Sequence, residues 1–290
     1  RHTLDVERAE RGRDNGLFTG RAGVMLAAAR IARVTGEEAL RRRAWKLAIE
    51  LGRGAATGAD VINGRAGQVL GLVGACEVIG HATATAAVRA IADSLVAETD
   101  YTTQTEKYGV AHGVAGIGLS LLAAYQLTQR VEYAVHGTAL IDCAAKAAQD
   151  VEVRELSPIE RCGWCNGVAG LAMVFRTAHA ITAREDYRTL AVKMMDDVAE
   201  QVLCGDGVAE DLTLCHGLTG ILDIMRSIEP QSGRCRRALR VGDAFLASAV
   251  ESCAALEPGL MRGMAGLAYS FLRGSGRPLA MVLNGSPATP

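Results

Sequence analysis

The stretch GVAHGVAGIGLSLLAAYQL, residues 109–127, decides the fold. Its glycine pair Gly113 and Gly116 opens a run that is apolar on nearly every side, the composition of a helix buried all round. The same Gly-x-x-Gly phrase occurs six times: GRAG at Gly20, GRAG at Gly64, GVAG at Gly113, GVAG at Gly167, GLTG at Gly217 and GMAG at Gly263. Successive first glycines are 44, 49, 54, 50 and 46 residues apart, and the third position is Ala or Thr each time. A fixed period of about fifty residues marks a repeat architecture.

Between the phrases lie stretches with one solvated face, among them EEALRRRAWKLAIELG, EYAVHGTALIDCAAKAAQ, REDYRTLAVKMMDDVAEQV and RRALRVGDAFLASAVESCA. The unit is therefore an outer amphipathic helix, a loop, and an inner buried helix that starts at the paired glycines. Two-helix units can stack into an open solenoid or close into a ring. The buried character of every inner stretch favours the ring. The expected fold is all-α, an α/α toroid of six to seven helical hairpins with the inner helices packed around its axis. No strand-like alternation recurs, so α/β folds are set aside. Residues 1–274 are expected to form this domain, and 275–290 read as a short docking segment and a loose tail.

Composition bounds the partners. Lys plus Arg number 31 and Asp plus Glu 32, a formal net charge of −1, so nothing global points to nucleic acid or an anionic membrane. No apolar run reaches the ~18 residues of a spanning helix. Residues 1–13 are charged and lack the apolar core of an export signal. The eight cysteines are too sparse for a disulfide framework in 290 residues, so free thiols with a metal site in the cytoplasm are expected. The chain begins with Arg, which suggests a segment of a longer protein.

Because each phrase sits at one phase of its repeat, residues just before the first glycine belong at one end of every inner helix. Two positions before it stand Phe18, Ile62, Ala111, Cys165, Cys215 and Met261; one position before stand Thr19, Asn63, His112, Asn166, His216 and Arg262. Cys165, Cys215 and His216 form a three-ligand set for one zinc ion per chain, with a fourth position open as in catalytic sites. Two thiolates neutralise the dication, which eases the approach of a third. His112, in the neighbouring repeat, could transfer a proton. Asp60 could orient an acid–base partner, and Arg161 could stabilise an enolate-like charge.

Plainer readings stand beside these. Cys76, Cys143, Cys204, Cys235 and Cys253 read as small buried hydrophobes. Cys162 spells C-x-x-C with Cys165, but no βαβ pattern surrounds it; as a fourth ligand it would close the site. Asp60 could be a simple helix cap, Arg161 a surface charge, and His112 a structural histidine. His2, His81, His136 and His179 have no phased partners and read as structural or surface groups.

AHG at 111–113, R-x-x-W-C-x-G at 161–167 and LCHG at 214–217 are the most specific pieces, and with the glycine phrases the chain resembles the lanthionine synthetase cyclase (LanC-like) family from about Gly16 to Leu272. That resemblance implies an α/α toroid, usually of seven hairpins, with one zinc in the central opening. By position Cys165, Cys215 and His216 match the family's zinc ligands, His112 its active-site histidine, and Asp60 and Arg161 its acidic and basic residues. The implied reaction adds a peptide cysteine thiol to dehydroalanine or dehydrobutyrine. The implied partner is a dehydrated precursor peptide. The closing PGLMRGMAGLAYSFLR resembles the end of a bifunctional synthetase, with a dehydratase domain upstream. Asn166 stands where the family often carries Tyr or His.

Three rivals remain open. A glycoside hydrolase on a helical toroid needs two carboxylates across a cleft, and only Asp60 is phased. A non-catalytic peptide-binding scaffold should have lost ligands, and all three are present. Addition of a free thiol such as glutathione could use the same site.

Overall fold

The computed structural model describes residues 15–54, 56–98, 108–150, 161–205, 211–228, 232–249 and 258–274. Their regular elements are α-helices, and no strand occurs among them. The expected tail at 275–290, Cys253 and His2 lie outside the described residues. Contacts divide the chain into two compact units, one up to Ala145 and one from Lys146 onward.

In the first unit the helices run α1 (Arg21–Thr35), α2 (Glu38–Arg53), α3 (Arg65–Ile79), α4 (His81–Ala97), α5 (Val114–Thr128) and α6 (Val131–Asp150), the last crossing the boundary. In the second they run α7 (Val168–Thr182), α8 (Glu185–Cys204), α9 (Leu218–Ser227), α10 (Gly233–Ala249) and α11 (Met264–Gly274). Each odd-numbered helix begins directly after a phrase glycine. In the first unit α3 packs against both α1 and α5, and α2 packs against α4; in the second α9 packs against α7 and α11, and α8 against α10. Each unit is thus two layers, inner helices beside inner helices and outer beside outer. No helix among the described residues is long and apolar enough to cross a membrane.

Space, more than backbone flexibility, explains the paired glycines. A Cβ on Gly67, Gly116, Gly220 or Gly266 would land on the carbonyl oxygen six residues earlier, that of Val61, Val110, Leu214 or Leu260. The loop before these inner helices, and before α1 at Gly23, is folded tightly back over the helix's first turn. At Gly116 the added carbon would also meet Val61 Cγ2 at 2.7 Å. Gly116→Ala should therefore destabilise the chain by roughly 3 kcal/mol, at the upper end of overpacking costs. Denaturant unfolding followed by far-UV circular dichroism will measure it; a change within about 0.5 kcal/mol, ordinary for a neutral surface change, would contradict this account.

The inner-to-outer connections share a corner that the periodicity does not reveal. Thr35, Thr128 and Thr182 each donate Oγ1 to the carbonyl four residues back, at 2.9, 2.7 and 2.7 Å. The next residue turns left-handed: Gly36 at φ 72°, Gln129 at 58° and Ala183 at 57°. The N–H of the following residue (Glu37, Arg130, Arg184) then donates to the threonine hydroxyl. Two corners continue as T-x-R-x-x-Y, with the Arg130 and Arg184 guanidinium carbons 5.0 and 4.0 Å from the ring centres of Tyr133 and Tyr187.

Burial of the inner helices is uneven. In α5 every residue from Val114 to Ala124 is buried. By contrast α1 exposes Ile31 and Val34, and α11 exposes Met264, Phe271 and Leu272. Each of these two packs on a single inner helix of its unit, α3 and α9 respectively. Cys204 is exposed at the end of α8 and is not the buried hydrophobe expected. In the second unit Asp223, fully buried on α9, accepts from Arg273 Nε at 2.6 Å and from the Tyr269 hydroxyl at 3.3 Å, tying α11 to α9. Burial pushes its carboxyl pKa up, and the Arg273 charge opposes that.

Candidate functional site

In the second unit the loops that precede the inner helices are stitched together by their backbones. Trp164 N–H donates to the Cys215 carbonyl at 3.1 Å, and Cys215 N–H donates to the Met261 carbonyl at 3.0 Å. Gly163 lies so close to the next loop that an added Cβ would meet the His216 carbonyl oxygen at 3.0 Å. These contacts hold the residues two places before successive phrase glycines side by side. The ligand atoms of Cys165, Cys215 and His216 consequently all lie within 4.8 Å of one another, and Cys215 Sγ is 3.8 Å from His216 Nε2.

That spacing suits a metal. Around a tetrahedral zinc with bonds of about 2.0–2.3 Å, neighbouring S and N donors stand roughly 3.5 Å apart. Protonation fits too. The Cys165 thiol is held well below the usual thiol range, first because its thiolate accepts the Cys215 S–H and then because it faces His216. The same bond and burial push the Cys215 thiol up, and the Cys165 thiolate raises His216. One anion already stands in the set; a dication would allow the second.

At pH 7 the metal-free chain should therefore show the absorbance of one thiolate near 240 nm. It is lost in Cys165→Ser and lost again on acidification, since a lowered pKa keeps the charge only above that pKa. Zero thiolates at neutral pH would contradict the arrangement.

Cys162 does not belong to the set. It is 3% exposed, and burial pushes its thiol up to about 11 against the pull of Arg161. Arg161, half-buried, thus acts electrostatically on Cys162. Asn166 is exposed beside the set. His179 is held by the Arg184 carbonyl, 3.0 Å from Nδ1, as a structural group.

The first unit brings together Asp60 and His112. Phe18 N–H donates to the Ile62 carbonyl and Val61 N–H to the Ala111 carbonyl, the same loop-to-loop stitching. Asp60 Oδ1 accepts the N–H groups of Asn63 at 2.7 Å and Gly64 at 3.1 Å, so it fixes the turn that leads into α3. Its other oxygen lies 2.9 Å from His112 Nδ1. A carboxylate only accepts, so the proton is on Nδ1 and Nε2 is left as the working nitrogen. Beneath this loop the buried Arg65 binds the Gly58 carbonyl through Nε at 3.3 Å, Ser94 Oγ at 3.2 Å and Glu98 at 2.6 Å.

Two charged neighbours of the second-unit set carried no role in the sequence reading. Asp211 caps its own loop, accepting Thr213 N–H at 2.6 Å, and its charge reaches Cys215 and His216. Arg262 acts on the same two groups with the opposite sign. The signal for Arg262 was its place one residue before the sixth glycine, in register with His216. Asp211 stands six residues before its glycine and Asp60 four, so phase alone does not find it.

A family model described as "Lanthionine synthetase C-like protein" matches residues 3–275. Among solved structures the chain is similar to one titled "Nisin cyclase", with a TM-score of 0.67 at 16% identity, covering 91% of this chain and 78% of that one. At that identity the likeness shows the fold, an all-α toroid of helical hairpins. No curated protein matches at a significant level.

Proposed function

Because the chain belongs to the lanthionine synthetase C-like family, we propose that it is a zinc-dependent cyclase that closes thioether rings in a dehydrated precursor peptide. The observation that carries this reading is the set of two thiols and one imidazole within 4.8 Å, in a chain of that family and fold. Cys165, Cys215 and His216 would hold the ion, leaving a fourth position for substrate sulfur. Zinc bound there would lower the pKa of a peptide thiol and keep it as a nucleophilic thiolate at neutral pH.

The chain's own groups would do the rest. The thiolate adds to the β-carbon of a dehydroalanine or dehydrobutyrine, and negative charge develops on the acyl oxygen. Arg161 would oppose that charge. His112, held through Nδ1 by Asp60, would take up at its free Nε2 the equivalent of the proton the thiol gives up and deliver it to the α-carbon. The thiol's proton is thus replaced at carbon, and the ring is an isomer of the open peptide. The peptide's dehydration would come from a dehydratase domain upstream in the same protein, in the cytoplasm.

Isomerisation dictates the assay, because mass does not change. Zinc should be found at one per chain in purified protein. Incubation with a peptide holding one cysteine and one dehydrobutyrine should abolish labelling by a thiol alkylating agent, and a chelator present from the outset should preserve it. Bound zinc with undiminished labelling would favour a peptide-binding scaffold, and a mass gain with added glutathione would favour a free-thiol adduct enzyme. Either result would overturn the cyclase.

A further inference from the structure

Arg262 is the one residue of the second-unit row, Asn166, His216 and Arg262, that presents a permanent charge to the ligand set. Its place is fixed by the backbone: Met261, the residue before it, accepts the Cys215 N–H at 3.0 Å. The side chain is exposed and makes no ion pair or hydrogen bond among the described residues. No ion pair joins it to Asp211, whose Oδ1 accepts the Thr213 N–H at 2.6 Å. The Arg262 guanidinium and the Asp211 carboxylate both lie within electrostatic reach of Cys215 and His216, with opposite signs.

We propose that Arg262 is the counter-charge for the anionic sulfur of the substrate, a binding residue at the open side of the ligand set. This rests on the zinc reading above. Two thiolates and a neutral imidazole cancel the dication, so the incoming sulfur adds an uncompensated negative charge, and Asp211 adds another nearby. Arg262 removes one of them. The sulfur arrives as a thiol, leaves its proton to the buffer and stays as an anion; no electron is transferred. A neutral ligand at the same position gains nothing from Arg262.

The test uses the full chain loaded with cobalt(II), whose visible absorption reports the donor set. Wild type, Arg262→Gln and Arg262→Lys are titrated with 2-mercaptoethanol and separately with imidazole. Each protein should bind one cobalt. Arg262→Gln should bind the thiol about tenfold more weakly, Arg262→Lys should recover most of that loss, and imidazole affinity should be equal in all three. Equal thiol affinity in Arg262→Gln, or a matching loss for imidazole, overturns the inference and leaves the zinc reading standing. A wild type that takes up no cobalt at these donors overturns the zinc reading, and this inference with it.

Discussion

Cys215→Ala should leave the purified chain without stoichiometric zinc, its affinity lowered by at least about a hundredfold, the scale on which even outer-shell partners of a metal ligand act. Alanine preserves what Cys215 does with its backbone: the N–H still reaches the Met261 carbonyl and the carbonyl still accepts Trp164 N–H. Only the donor is removed. The two remaining donors, Cys165 and His216, leave two coordination positions to water, which is a poor zinc site. The change has a second signature. The largest influence holding the Cys165 thiol down is its bond to Cys215. Without that bond the neutral-pH thiolate absorbance of the metal-free protein should fall as well. Cys162→Ala is the internal control, since that thiol is buried, protonated and outside the set. Zinc content by elemental analysis and 240 nm absorbance read the two effects independently. Full zinc in Cys215→Ala, or zinc lost equally in Cys162→Ala, would show that the donors are wrongly assigned.

Why the phase of the inner helices is legible in the residues follows from that crowding. Gly67, Gly116, Gly220 and Gly266 each sit against a carbonyl where no side chain fits, so the requirement is local and repeats with the fold. Once the phase is known, the residues before each glycine fall on loops that bond to their neighbours backbone to backbone. That is how Cys165 and Cys215, about fifty positions apart, can be matched before any coordinates exist. The hairpin corners are less visible, because Thr35-Gly36, Thr128-Gln129 and Thr182-Ala183 share only a hydroxyl and a left-handed residue that Gly, Gln and Ala fill in turn. The exposed faces of α1 and α11 are invisible to periodicity, since a helix's own pattern does not say how many neighbours it has. Cys204 misleads for a related reason: cysteine is buried on average, and its place at the last residue of α8 outweighs the average. Arg262 is in the right register, yet a guanidinium at a helix start carries no recognisable chemistry until the thiol beside it is seen.

The Asp60–His112 pair carries the second large expectation. His112→Ala should slow thiol addition by about 10²–10³-fold, the usual worth of a positioned proton donor, while zinc stays at one per chain. The ring is half exposed, with 45% of its side-chain surface open, so its loss should change stability by less than about 1 kcal/mol. Asp60→Asn separates orientation from charge. Its remaining oxygen can still accept Asn63 and Gly64 N–H, which preserves the turn that leads into α3. An amide NH₂ facing His112, however, donates where the carboxylate accepted. Nδ1 must then give up its proton, and the neutral imidazole carries it on Nε2 instead. The proton bookkeeping at Nε2 is reversed without moving the ring, and the rate should fall by about 10–100-fold with the peptide's KM nearly unchanged. Steady-state rates by thiol alkylation, paired with elemental analysis, separate this from damage to the metal set. A His112→Ala chain that closes rings at the wild-type rate would remove the histidine from the reaction; one that loses zinc in parallel would give it a structural role instead.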